Sequence, residues 1–429
     1  MKPPRSRFFS RYLSQIQSQT TRSEQPLVFA AAALFLVYPA IVAVATLLGA
    51  SFELNFMDFG AYYSAAGRFL EGGSLYYTPS RPAAPSHPGG VFPYLYPPVV
   101  IVPFIPLALL PFWVAAGIWV TVSLAVAVFG AKTLLNAYDI RLSRAKMLLL
   151  AYGIFAFAPT LIWFKLGQVT GMFVGSLCFA AASLERNPDG RFGWLGLALL
   201  PAVVKPPYAV TMAPALNDYQ RVLRVVILGI AVIAVSVLLF GIEAHEAYLG
   251  VLREGKGWHL DALPISKFSF FVFRPFHVLG SARIVLRGVL LVALVGYVLE
   301  RRSRRPRVER ALFALGCAAV PVLHPTVNTL TLNALIPAYL IVFVSEFRRS
   351  DGALTIPLLS LVLVQIHPYA TSVLSWIGIG ALSPLDPLTP LVPVLQPGLW
   401  GIVSLVAFIV YRIERDEGGF PLPEDGSVR

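Results

Sequence analysis

Long apolar runs, separated by short polar and basic stretches, set the character of this chain. Residues 1–26 are polar and basic, and Leu27 to Ala50 then carry no charge. That run exceeds the ~7–15 residues of a signal-peptide core and reaches the length needed to cross about 30 Å of hydrocarbon. It reads as a first transmembrane helix that is retained. Further apolar segments cover approximately 112–135, 146–164, 168–184, 193–216, 222–242, 284–299, 309–323, 327–345, 354–379 and 397–412. The pattern predicts an all-α polytopic membrane bundle of about 11–12 spans with large extracytoplasmic loops, counted at about 20 residues per span. Several segments fall short of that length and are rich in Pro and Gly, which predicts bent and broken helices. Pro97–Pro111 carries five prolines in fifteen residues and reads as a re-entrant or interfacial segment. The sequence shows no internal repeat.

Composition agrees with the pattern. The chain is 57% hydrophobic and 13% charged, about half the charge of an average soluble domain, and its mean hydropathy is +0.71. The net charge of +12 raises the question of nucleic acid until the basic residues are placed. They cluster in residues 1–26, in 132–146 and in Glu300–Arg310, as cytoplasmic loops require. For all three to share one side, 193–216 must be two short legs meeting at Lys205-Pro206-Pro207, where the proline pair breaks the helix. With that hairpin, 24 of the 34 Lys and Arg residues are cytoplasmic and only 7 lie in the two large external loops, 51–97 and 243–283. No nucleic-acid partner is needed. The expected organisation is a cytoplasmic N-terminus (1–26), a membrane domain (27–412) and a cytoplasmic tail (413–429). Cys178 and Cys317 lie in apolar runs without disulfide or metal spacing.

Candidate chemistry sits at the external helix ends. Asp58, flanked by Phe56, Met57 and Phe59, is an acid at a membrane edge. Apolar flanks raise a carboxyl toward the range of a general base, whereas a helix cap or solvated loop acid is the plain alternative. Tyr94-Leu-Tyr96-Pro-Pro98 suits an interfacial anchor. Lys165 and Gln168, in Trp163–Thr170, are placed to hold a phosphate or sugar hydroxyls, although lysine at a helix end often snorkels. Lys205, between apolar legs, lacks an easy route to water, and ionisable residues so placed are functional candidates. His324 and Asn328 could hydrogen-bond a sugar or phosphate. Walker A, GxGxxG, HExxH and GxSxG patterns are absent, and no acidic pair stands ready to chelate a metal, so no metal or cofactor is expected.

Four motifs, in order, resemble family 87 of the glycosyltransferases, in the GT-C superfamily: Asp58-Phe-Gly-Ala-Tyr62, leading through Arg68 to Leu75-Tyr-Tyr77; Tyr94-Leu-Tyr-Pro-Pro98; Gly167-Gln168; and Lys205-Pro-Pro207. Pro321-Val-Leu-His-Pro325 is a looser fifth. The family's members are bacterial polytopic enzymes related to polyprenol-phosphate-mannose-dependent alpha-mannosyltransferases. The resemblance implies a GT-C-like fold in the bacterial plasma membrane and a polyprenyl-phosphate sugar donor. It implies a lipid or glycan acceptor, and inverting transfer on the extracytoplasmic face with Asp58 as base. Lys165, Lys205 or Arg68 would offset charge on the departing lipid phosphate. Tyr62, Tyr96, Gln168, His324 and Asn328 would line the substrate site. Leu263–Phe271 lacks the Asn-Gln-Ser pattern of many members, which leaves sugar and acceptor open. The alternatives are a transporter or flippase of lipid-linked sugars, an arabinofuranosyltransferase of the same fold, and a non-catalytic scaffold.

Overall fold

The computed structural model describes residues 24–47, 54–76, 93–188, 193–253, 273–276, 279–301, 303, 305–325, 328–376 and 394–416. Expectations for the extreme N-terminus, Leu263–Phe271 and the end of the tail lie outside these residues. Every extended element among them is helical, as an apolar run in lipid must be when its backbone groups have no water to bond.

Helix α1 (Gln25–Leu47) precedes the shorter α2 (Met57–Leu70). The proline-rich stretch forms two 3₁₀ turns, Pro98–Phe104 and Leu107–Leu109, packed on α2. Prolines lack the N–H that a continuous α-helix needs. There follow α3 (Phe112–Ala137), α4 (Arg144–Ala156), α5 (Ala158–Leu166) and α6 (Thr170–Arg186). The expected span 146–164 is α4 plus α5, bent by 74°. Gln365 supports the break: its amide accepts from Ala158 N (2.9 Å) and donates to the Ala156 carbonyl (2.9 Å). One side chain thus satisfies a donor on one side of the bend and an acceptor on the other.

The expected hairpin is present. Helix α7 (Gly193–Val204) stops at Lys205, and a 3₁₀ segment, Pro206–Asn217, runs on from it. Such segments are usually three or four residues long; this one is held by its three prolines and by α10. Both feet of the hairpin stand at the basic end of the bundle. Gly193 lies against Ser183 at the end of α6, and Asn217 Nδ2 donates to the Ser303 carbonyl (2.8 Å).

Helix α8 (Tyr219–Arg253) is longer than the expected 222–242. It is interrupted at Gly241 (φ 76°) and continues as helix through the start of the segment expected to be an external loop. His245 bridges the break, touching the Gly241 carbonyl (2.8 Å) and Ser236 Oγ (2.9 Å). Then come α9 (Ala282–Glu300), α10 (Pro306–Leu323), a 3₁₀ turn (Thr329–Ala334) leading into α11 (Leu335–Phe347), α12 (Thr355–Trp376) and α13 (Pro397–Asp416). Five of the described helical stretches are long and apolar enough to cross a membrane, and the bent α4–α5 pair makes a sixth. Shorter apolar stretches lie in α1 (Gln25–Val37), α7 (Gly193–Val204) and α12 (Thr355–Pro368). The chain is therefore an all-α, multi-pass membrane protein.

Ion pairs concentrate at one end, where the basic segments meet. Arg221 and Glu309 form a buried pair (2.5 Å). Arg301 meets Glu414 (2.8 Å), Arg310 meets Glu185 (3.2 Å) and Arg349 meets Asp416 (2.5 Å). Within the bundle, small residues set the helix separations, the usual solution where lipid removes the hydrophobic drive between helices. A Cβ on Gly130 of α3 would lie 2.6 Å from the Gly175 carbonyl oxygen of α6, and one on Gly175 would lie 2.5 Å from the Val126 carbonyl. Gly175→Val therefore forces these helices apart. A loss of about 1–3 kcal/mol, typical of overpacking, should appear as a lowered thermal midpoint in detergent. Gly117→Ala, whose added methyl meets nothing within 4 Å, should leave the midpoint unchanged.

Candidate functional site

The site is assembled at the end of the bundle opposite the ion pairs. Phe56, just before α2, takes a left-handed backbone conformation (φ 45°), uncommon for any residue but glycine. Its N–H donates to the Lys165 carbonyl (3.0 Å) and its ring meets Trp113 edge-on (5.8 Å). One turn on, Phe59 packs against Gly167, the left-handed residue (φ 67°) that ends α5. A Cβ at Gly167 would stand 2.6 Å from Phe59 Cβ. Trp119 Nε1 donates to the Gly167 carbonyl (3.0 Å). These contacts fix the start of α2 against the turn that carries Gln168.

Asp58 is thereby held in the first turn of α2, where the helix dipole favours a carboxylate. It is partly buried and sits beside Lys205 and Gln168. Burial raises its carboxyl, the Lys205 ammonium and a hydrogen bond with Gln168 pull it back, and the balance stands at about 6. Gln168 is oriented in turn by the Thr170 hydroxyl, which donates to its Oε1. Lys205, at the tip of the hairpin, places its Nζ 5.9 Å from the centres of the Tyr96 and Phe173 rings, within cation–π range.

Aromatic rings form the walls. Tyr62, one helical turn beyond Asp58, stacks on Phe104 (4.5 Å) and lies 5.1 Å from Tyr96. Its hydroxyl is buried and faces that of Tyr96. Tyr76 donates to the Tyr96 carbonyl (2.6 Å) and Tyr94 to the Pro97 carbonyl (2.8 Å), which hold the Tyr-x-Tyr-Pro-Pro stretch over α2. On the far side of Lys205, Tyr208 packs against Phe173 (5.1 Å) and edge-on to His324 (6.4 Å).

The structure thus brings together Asp58, Tyr62, Tyr96, Gln168 and Lys205, with His324 one ring further back. Lys165 is buried at the end of α5, and its described contact with this group is the carbonyl that receives Phe56 N–H. Arg68 is ten residues beyond Asp58, about 15 Å along the helix axis. It donates to the Ser74 (3.1 Å) and Leu75 (2.8 Å) carbonyls, tethering the turn after α2. Asn328 caps the Thr329–Ala334 turn, accepting from Leu330 N (3.0 Å). Phe173 and Tyr208 were not singled out from sequence. Tyr208 has a legible signal, since it follows Lys205 by one 3₁₀ turn and donates its N–H to the Lys205 carbonyl (3.0 Å). Among the described residues, no three His, Cys, Asp or Glu side chains cluster to hold a metal ion.

Comparison with known proteins bears on this arrangement. The sequence model described as Glycosyltransferase family 87 matches residues 94–325, a stretch that includes Tyr96, Gln168, Lys205 and His324. A polyprenol-phosphate-mannose-dependent alpha-(1-2)-phosphatidylinositol pentamannoside mannosyltransferase from Mycolicibacterium smegmatis is 25% identical over 278 residues, which cover 57% of this chain and 65% of that protein. No solved structure matches the chain. With more than half of its length matched by the family's sequence model, the chain belongs to glycosyltransferase family 87.

Proposed function

We propose that the protein transfers a sugar, mannose in the first instance, from a polyprenyl phosphate to a lipid or glycan acceptor on the extracytoplasmic face. The observation that carries this reading is the placement of one carboxylate, Asp58, beside one amide and one ammonium in an aromatic recess. In this scheme Asp58 accepts the proton of the acceptor hydroxyl as its oxygen attacks the anomeric carbon. The bond from that carbon to the phosphate oxygen breaks, and the lipid phosphate leaves with the bonding pair. A single base suffices for such an inverting displacement, whereas glycoside hydrolysis uses a carboxylate pair. The ammonium of Lys205 faces the charge that develops on the leaving phosphate, an interaction that strengthens in the transition state. Gln168 and Tyr96 orient the sugar, with His324 behind them. Lys205 stands nearer to Asp58 than Arg68 does, which favours it for the phosphate role. The mannose-dependent relative supports the donor class, and the single basic end of the bundle supports cytoplasmic termini.

The test is transfer from radiolabelled polyprenyl-phosphate mannose by the purified protein in liposomes with a membrane lipid extract. Product should form with the wild type. Asp58→Asn should lower the rate by about 10²–10⁴-fold, the range for loss of a general base. Labelled lipid that crosses the bilayer without covalent transfer, from mannose or from a panel of other lipid-linked sugars, would replace this reading by transport.

The acid–base sign is fixed. A base works when ionised, so wild-type transfer should rise with pH through about 6, the value at which that balance leaves Asp58. Residual Asp58→Asn activity should show no such rise. Gly167→Ala tests the positioning of Asp58. Strain at positive φ and the approach to Phe59 should lower turnover by at least about tenfold, because misplacement near 1 Å costs more than that.

A further inference from the structure

At the ion-paired end, remote from Asp58, a cavity of about 220 Å³ opens between the N-terminal turns of α10 and the C-terminal turns of α11 and α13. Five arginines line it (Arg307, Arg310, Arg348, Arg349 and Arg412) against two carboxylates, Glu346 and Asp416. With Arg415, Asp351 and Glu185, which join the network from outside the lining, six arginines stand against four carboxylates. Three of the arginines are committed within the protein. Arg412 pairs with Glu346 and Asp351, Arg349 with Asp416, and Arg310 with Glu185. Arg348 donates to the Tyr138 carbonyl, lies over the Tyr138 ring (5.7 Å) and shares the Glu185 carboxylate with Arg310. Arg307 is exposed and has no ion pair among the described residues. Arg412 is 5% exposed, and its Nε finds no hydrogen-bond partner among the described residues.

The cavity has a second character. Beneath the arginines its walls are apolar, formed by Ala311, Ala314, Ile341 and Phe408. A free anion would use the rim and leave this floor empty. A molecule that joins a phosphate to hydrocarbon uses both. The location is also where such a molecule is found: arginines at the ends of spanning helices lie at headgroup level, and basic pockets between such helices are lipid-headgroup sites.

We propose that this cavity binds an anionic phospholipid, with the headgroup phosphate among Arg307, Arg348 and Arg412 and the glycerol and first methylenes on the apolar floor. The site is separate from the sugar-transfer centre and does not depend on that reading. Guanidinium groups suit it because each presents a planar fork of donors to phosphate oxygens. Occupancy ties α10, α11 and α13 together where their own charges do not balance.

The full-length protein in neutral detergent tests this. Its thermal midpoint is followed while phosphatidylglycerol, phosphatidylcholine of the same acyl chains, or inorganic phosphate is added. Native mass spectrometry counts retained lipid. Phosphatidylglycerol should raise the midpoint and remain bound. Phosphatidylcholine should do neither, and millimolar phosphate should displace little of the bound lipid. Arg307→Gln, at an exposed position whose loss leaves the fold intact, should weaken phosphatidylglycerol binding by about tenfold, the usual cost of a charge-assisted phosphate contact. Arg307→Lys should recover part of it. Arg301→Gln, which breaks the Glu414 pair outside the cavity, should lower the starting midpoint but leave the lipid-induced rise intact. Equal responses to the two lipids, or wild-type binding by Arg307→Gln, would overturn the proposal. So would a phosphate effect as large as that of phosphatidylglycerol, since the ligand would then be a free anion.

Discussion

The candidate site depends on the seating of Phe56 and Phe59 against Gly167. An acid on a short helix has many ways to lie. This one is fixed by a hydrogen bond from Phe56 to the Lys165 carbonyl, by ring contacts to Trp113, and by a glycine with no side chain to hold Phe59 away. Two motifs more than a hundred residues apart in sequence thus become a single unit. Asp58 and Gln168 face each other because the residues beside them are locked together. Precision of this kind, set by packed neighbours, is what positions reacting groups in enzymes.

The two ends of the bundle are held by different forces. At the basic end, charged pairs such as Arg221–Glu309 and Arg349–Asp416 fix helix termini with directional bonds. At the site end ring contacts stand beside hydrogen bonds to backbone carbonyls from the Tyr76 and Tyr94 hydroxyls, the Trp119 indole and the Phe56 N–H. Ring contacts accept a range of tilts and offsets at similar energy.

Much of this was legible in the sequence. The apolar runs marked the helices, and the distribution of arginine and lysine required a break at Lys205, which the chain supplies with two prolines. The proline-dense stretch before α3 was readable as irregular for the same reason. What stayed hidden was held by distant partners. Pro159 marks a break beside Phe157, but the residue that makes a 74° bend tolerable there is Gln365, more than two hundred positions away. The helical extension of α8 past Gly241 is a local matter by contrast, with His245 reaching back four residues to that glycine's carbonyl. Arg68 and Asn328 have side chains suited to sugars or phosphates, and their described bonds hold local turns. Composition can name such residues but cannot say which way they point.

The hairpin at Lys205 also constrains how the protein is made. Its legs of twelve residues each reach only about 18 Å as α-helix and about 24 Å as 3₁₀ helix, short of a full crossing of about 30 Å. Neither leg qualifies alone as a stop or start for membrane insertion. The second leg is also unfinished until α10 arrives, since Gly316 packs directly on the Val210 carbonyl and is made roughly a hundred residues later. Synthesis from the N-terminus therefore cannot complete the lysine tip in order. The ribosome must deliver half of the remaining bundle before the residue at its centre has a settled place.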